Sequence, residues 1–162
     1  MIKFFNIELN ITNEKYIAIG KCSLYEIKKC GLPINPNGFV GEEKEGVAKE
    51  INISVEKLFD LIFLSVQASL DMVEVKKISE DDLVLLAKLF IIVCRNTKTL
   101  RTPFKFLEDK EKISEWTGID EKELAEIYFL IFKATIETAI LEKEKLKKKY
   151  VIVTGFVSFK TK

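Results

Sequence analysis

Ile113–Ile140 reads ISEWTGIDEKELAEIYFLIFKATIETAI, and a helix stop, a tight turn and a new helix start succeed one another closely within it. Gly118 suits the left-handed position that ends a helix, Ile119 can fold back onto the preceding turn, and Asp120 with Glu123 supplies a capping box for the next helix. A short helix opening near Asp109 therefore closes at Thr117. A second helix runs from Glu121 to about Lys149, roughly 45 Å at ~1.5 Å per residue. Its first half is apolar on most sides (Leu124, Ile127, Tyr128, Leu130, Ile131, Phe132, Ile136, Ile140), and its end, EKEKLKKK, is charged. Burial against more than one neighbour is expected for the first half, and solvation for the second.

Upstream, Ser54 starts a helix through about Val73, and Ser79 with Asp82 starts another through about Arg95. Each has a wide apolar face, and the two are expected to pack antiparallel. Nearer the N-terminus the pattern changes. Phe5 to Ile11 alternates strictly, and Lys15–Cys22 (KYIAIGKC) comes after a Thr12-Asn13-Glu14 turn, so the reading is an N-terminal hairpin. Ser23 with Glu26 opens a short helix closed by Gly31, Leu32 and Pro33. Residues 33–49 hold prolines, glycines and the run EEKE, and are expected to form a flexible loop. At the other end Tyr150–Phe159 (YVIVTGFVSF) is apolar on both faces, as a central strand pairing with the hairpin would be, with Gly155 at a bulge or close approach. The expected fold class is α+β in a single domain, 1–162. It is mostly helical, an internal array of about five helices with a small antiparallel sheet formed by the N-terminal hairpin and the C-terminal strand.

With 162 residues and 48% hydrophobic content the chain has material for one core, and its net charge of +1 argues against a global field for nucleic acid or an anionic membrane. Histidine is absent. That removes the commonest general acid/base, the usual nucleophile pairs and the usual transition-metal ligand. Cys22, Cys30 and Cys94 form no Cys-x-x-Cys pair, so neither a disulfide framework nor a zinc site is indicated and a cytoplasmic protein is expected. MIKFFNIELN lacks the apolar block of a signal peptide, and the runs LFDLIFLSVQASL and LVLLAKLFIIVC are too short to span a bilayer. The Lys/Glu/Ile-rich, Gln-poor composition suits a thermophile or its mobile element, although low-GC coding produces a similar profile.

The segment 110–130 resembles a helix-turn-helix, with Gly118 at the turn and Ile113, Ile119, Leu124 and Ile127 at its apolar positions. Its second helix, however, begins Asp120, Glu121, Lys122, Glu123, whose carboxylates oppose DNA. The lysine-rich helix end 143–149 is the one concentrated basic feature; Lys122, Lys143, Lys145, Lys147, Lys148 and Lys149 are the candidate nucleic-acid contacts. Lysines at a helix C-terminus also complement its dipole, and the near absence of arginine weakens a phosphate reading. Glu80, Asp81 and Asp82, like Glu108 and Asp109, read as acidic first turns and not as metal ligands. GFVGEEKEG lacks the ending of a P-loop. No catalytic, metal or cofactor residue is singled out.

Aromatics remain, in numbers a small core does not fully hide. Tyr128, Phe129, Phe132, Ile136, Phe156 and Phe159 are the candidate interaction surface. The expectation is a non-enzymatic interaction or assembly protein, a homo-oligomer or a partner of another protein, burying part of Leu124–Ile140 or an edge of the terminal sheet. A nucleic-acid-binding regulator is the alternative. An enzyme working through carboxylate, lysine or metal chemistry is a third reading, and no membrane is involved.

Overall fold

A computed structural model describes the backbone of residues 2–4, 7–30, 44–97, 99–101, 108–146, 148–153 and 156–161, and side chains for 10–29, 44–95 and 108–138. Where side chains are described the chain is 83% helical, in six α-helices, with no strand or sheet. These are α1 (Asn13–Cys30), α2 (Lys44–Glu50), α3 (Val55–Ser69), α4 (Glu80–Thr97), α5 (Lys110–Thr117) and α6 (Glu121–Leu146), with a 3-10 turn at Val75–Lys77. The expected α+β class is thereby corrected to a mostly helical one. Elsewhere the described backbone forms short pairings. Ile2–Phe4 (β1) pairs with Ile7–Leu9 (β2), and Lys148–Val153 (β4) pairs with Phe156–Thr161 (β5), which also meets Thr99–Arg101 (β3). Among the described residues the expected sheet joining the N-terminal hairpin to the C-terminal strand is not found: β1 pairs with β2, and β5 with β3 and β4.

The main reversal is at Lys15–Cys22, which is helix and not strand. Its apolar run is short enough to satisfy both periods. Tyr16, Ile19, Gly20 and Ser23 are buried at i, i+3, i+4 and i+7, a helical spacing, and Cys22, Leu24, Tyr25 and Glu26 widen the buried side in the later turns. The expected turn at Thr12 is instead the helix start, where the Thr12 hydroxyl accepts from the Lys15 N–H at 3.3 Å and the Thr12 carbonyl from the Tyr16 N–H at 3.0 Å. Ser23 starts nothing; buried in mid-helix, its hydroxyl donates back to the Gly20 carbonyl at 2.7 Å. Lys44–Glu50, which overlaps the expected 33–49 loop, is helical; the rest of that loop and Gly155 lie outside the described residues.

The contacts of the chain group into two compact units, Met1–Phe90 and Ile91–Lys162, with the division falling inside α4. In the first unit α1 and α2 each pack on α3. Leu58, Leu61, Ser65 and Ala68 form the buried side of α3. α1 and α4 approach so closely that a Cβ on Gly20 would lie 2.2 Å from the Leu83 carbonyl oxygen. Lys57, at the start of α3, pairs with Asp82, at the start of α4, at 2.8 Å. An antiparallel pair would hold those two ends about 20 Å apart at ~1.5 Å of rise per residue, so the antiparallel expectation for α3 and α4 is also corrected.

In the second unit α5 and α6 pack together. Their join matches the sequence reading closely: Gly118 has φ 74° and its N–H donates to the Ser114 carbonyl at 2.8 Å, while Asp120 Oδ1 caps α6 by accepting from the Lys122 N–H at 3.0 Å. Leu124, Ile127, Tyr128, Ile131 and Ala134 are the buried apolar stripe of α6. That helix is one-sided, with Glu126, Phe129 and Lys133 exposed, and not apolar all round as its composition suggests.

Candidate interaction surface

α3 is terminated in a way that displays side chains. Ser54 opens it, the hydroxyl accepting from the Lys57 N–H at 3.1 Å. At the other end Asp71 takes φ 57°, its N–H donating to the Ala68 carbonyl at 3.1 Å and the Met72 N–H to the Gln67 carbonyl at 2.8 Å. These two bonds are a Schellman motif with aspartate, rather than glycine, in the left-handed position. Lys28 of α1 forms an ion pair with the Asp71 carboxylate. α2 ends the same way, with Asn52 at φ 57° and the Ile53 N–H donating to the Ala48 carbonyl at 2.9 Å.

With Leu58, Leu61, Ser65 and Ala68 turned inward, the opposite face of α3 is apolar too. Phe59 is 43% exposed, Phe63 63%, Leu70 64% and Met72 66%. Phe59, Phe63, Val66 and Leu70 succeed one another at i, i+4, i+7 and i+11 and so lie in one stripe along the helix. Soluble chains scatter single apolar residues over their surface, whereas a contiguous row marks a place where something docks. The flanking charge is uneven. Glu56, Asp60, Glu80 and Asp81 are exposed around the start of α3, and Asp82, then Asp60 and Asp81, hold the Lys57 ammonium above its usual pKa. Past the other end Lys76 and Lys77 lie 3.5 and 3.9 Å from Glu74, near the turn that Lys28 reaches.

The residues singled out from sequence fall differently. Tyr128 is buried, Phe132 and Ile136 are half-buried, and Phe129 is 51% exposed. They lie on one side of α6, which runs from its buried edge at Tyr128 to its exposed edge at Phe129. The side chains of Phe156, Phe159, Lys143, Lys145, Lys148 and Lys149, and all of Lys147, lie outside the described residues. Lys122 is exposed among the exposed Glu121, Glu123 and Glu126. The α3 stripe is not evident from sequence, where this helix reads as having a wide apolar face turned to the core. The signal that could have found it is that this helix has apolar residues for two opposite faces.

Chemistry elsewhere is sparse. Among the described residues no group of three His, Cys, Asp or Glu side chains is placed to hold a metal ion, and no helix is long and apolar enough to cross a membrane. Cys22 and Cys94 are buried thiols, and burial, reinforced by Glu26, pushes the Cys22 thiol well above its usual pKa. Tyr16 is fully buried, its hydroxyl has no hydrogen-bond partner among the described residues, and burial raises its pKa to about 12. Lys88 Nζ sits 5.6 Å from the centre of that ring, and burial lowers its ammonium below the usual value. Cys22, Tyr16 and Lys88 belong to the first unit and Cys94 to the second. Comparison with known protein families, with curated proteins and with solved structures finds nothing that matches this chain.

Proposed function

We propose that this chain is a non-enzymatic interaction or assembly protein whose docking face is the outer stripe of α3. One observation carries the reading: Phe59, Phe63 and the C-cap residue Leu70 are exposed along one side of a helix whose opposite side is already buried, and Met72 in the turn that follows is exposed too. Rows of this kind form the apolar centre of protein interfaces, with charged residues at the rim, and here Glu56, Asp60 and the 74–77 turn supply the rim. The nucleic-acid alternative has less support. The helix after the Gly118 turn presents three exposed glutamates in its opening turns, and such a surface repels phosphate.

Hydroxyl-radical footprinting combined with light scattering, at low and high salt and with short DNA and RNA duplexes present or absent, tests the reading. The expected result is a species insensitive to nucleic acid, in which Phe63 and Met72 either label strongly or are protected only in an assembly. A monomer with both side chains protected would mean that the chain covers its own stripe, and would overturn the proposal. A salt-steep shift on adding nucleic acid would favour the alternative instead.

A further inference from the structure

The partner of this face can be narrowed. We infer that the α3 stripe docks the same stripe of a second copy of this chain, antiparallel across a two-fold axis near Phe63 and Val66. The inference rests on the interaction reading above and adds the identity and orientation of the partner.

Spacing is the first argument. Phe59, Phe63, Val66 and Leu70 step by four, three and four residues, the a/d alternation with which two helices interlock side chains along a seam. Because the row is symmetric about its middle, an antiparallel partner sets Phe59 against Leu70 and Phe63 against Val66, each contact occurring twice. That is the self-complementarity an isologous dimer requires.

Charge is the second. Lys57 is the basic residue among Glu56, Asp60, Asp81 and Asp82 at the start of α3, and it is engaged by Asp82. The far end carries Lys28, Lys76 and Lys77 against Asp71 and Glu74. A parallel copy would bring acid to acid and base to base. An antiparallel copy brings each acidic end to the other's basic end and also opposes the two helix dipoles favourably. A different protein would need no such internal match between the two ends of one helix. A seam of two helices this short buries at the low end of specific interfaces, about 1,200 Å² in total. The dimer is therefore expected to dissociate in the micromolar range.

Sedimentation equilibrium across that range, footprinting of Met72, and cross-linking test the inference together. The expected result is a concentration-dependent dimer in which Met72 is protected. Phe63→Glu and, independently, Leu70→Glu should each weaken it at least tenfold while leaving the circular dichroism unchanged. In a Cys30→Ser background a short bis-maleimide should link Phe59→Cys to Leu70→Cys when the two variants are mixed, and neither variant to itself. A dimer untouched by both glutamates, or a Phe59→Cys variant that links to itself, overturns the antiparallel pairing. A monomer whose Met72 labels freely overturns the second copy but leaves the open docking face for a different partner. A monomer whose Met72 is protected overturns both.

Discussion

Two helix faces in the first unit meet opposite surroundings. The face of α1 that carries Tyr16, Ile19, Gly20 and Ser23 is buried, and at Gly20 it approaches the α4 backbone so closely that no side chain fits. The outer face of α3 carries Phe59, Phe63, Val66 and Leu70 and is largely open. By composition α3 is the more apolar of the two. What separates them is size and shape: a glycine and a serine let two backbones come together, whereas a row of large side chains holds a neighbour at arm's length and suits a surface met by another molecule.

The largest effect should come from closing the gap on the α1 side. Gly20→Ala would place a methyl 2.2 Å from a backbone oxygen, and the helices must separate to admit it. Alanine recovers up to about 1 kcal/mol of helix propensity, but overpacking outweighs that gain, and a net loss of about 2–3 kcal/mol is expected in urea unfolding. A neutral or stabilised variant would show that the contact is looser than described and would erase the contrast.

Tyr16→Phe sharpens the same side in the opposite direction. A buried hydroxyl without a partner is a desolvation cost, so its removal should stabilise the fold by about 1 kcal/mol at neutral pH. The ring facing Lys88 is retained. The pH dependence has a definite sign. Folding raises this phenol from 10.0 to about 12, so the folded state holds the proton longer than the unfolded chain. Wild-type stability is then intact below pH ~10 and declines as pH rises through that window. The advantage of Tyr16→Phe over wild type should grow by about 1 kcal/mol by pH 11. Parallel stability curves for the two proteins would place the hydroxyl in contact with water.

These two sites also mark what was legible in the sequence. The Gly118 turn, the Asp120 cap and the Ser54 and Ser79 helix starts were all readable, because each is set by a local bond from a short polar side chain or by a left-handed glycine. The α1 helix was not. YIAI fits a strand and a helix equally, and the deciding fact, that Gly20 lies under Leu83, is a long-range contact. The turn at Asp71 was invisible for a related reason: aspartate tolerates the left-handed region without announcing it as glycine does. The exposed face of α3 was hidden because apolar content indicates that a side chain is better out of water, not which molecule will remove it.

A helix with one buried face should depend more on its ends than a helix held on its inner side by close packing. Ser54→Ala removes the hydroxyl that accepts from the Lys57 N–H at 3.1 Å. A loss of about 1 kcal/mol is expected, the usual value of such a cap. Amide exchange should quicken in the first turn of α3 before it does in α1. Equal exchange in the two helices would mean that α3 is held as firmly as α1 and that its outer face is covered.

Phe63→Gln should give the smallest change in stability and the most direct reading of the contrast. In a core, replacing phenylalanine by a polar residue strips away a large buried area and leaves an amide without partners, at a cost of several kcal/mol. At 63% exposure little of that area is buried within the chain, and the glutamine amide would reach water. Urea unfolding at concentrations below dimer dissociation should therefore shift by no more than about 0.5 kcal/mol. At higher concentration the wild type gains stability by mass action as copies pair, whereas the variant should not. The two unfolding midpoints thus coincide in dilute solution and diverge with concentration, and a gap that persists at every dilution would place Phe63 in the core of its own chain.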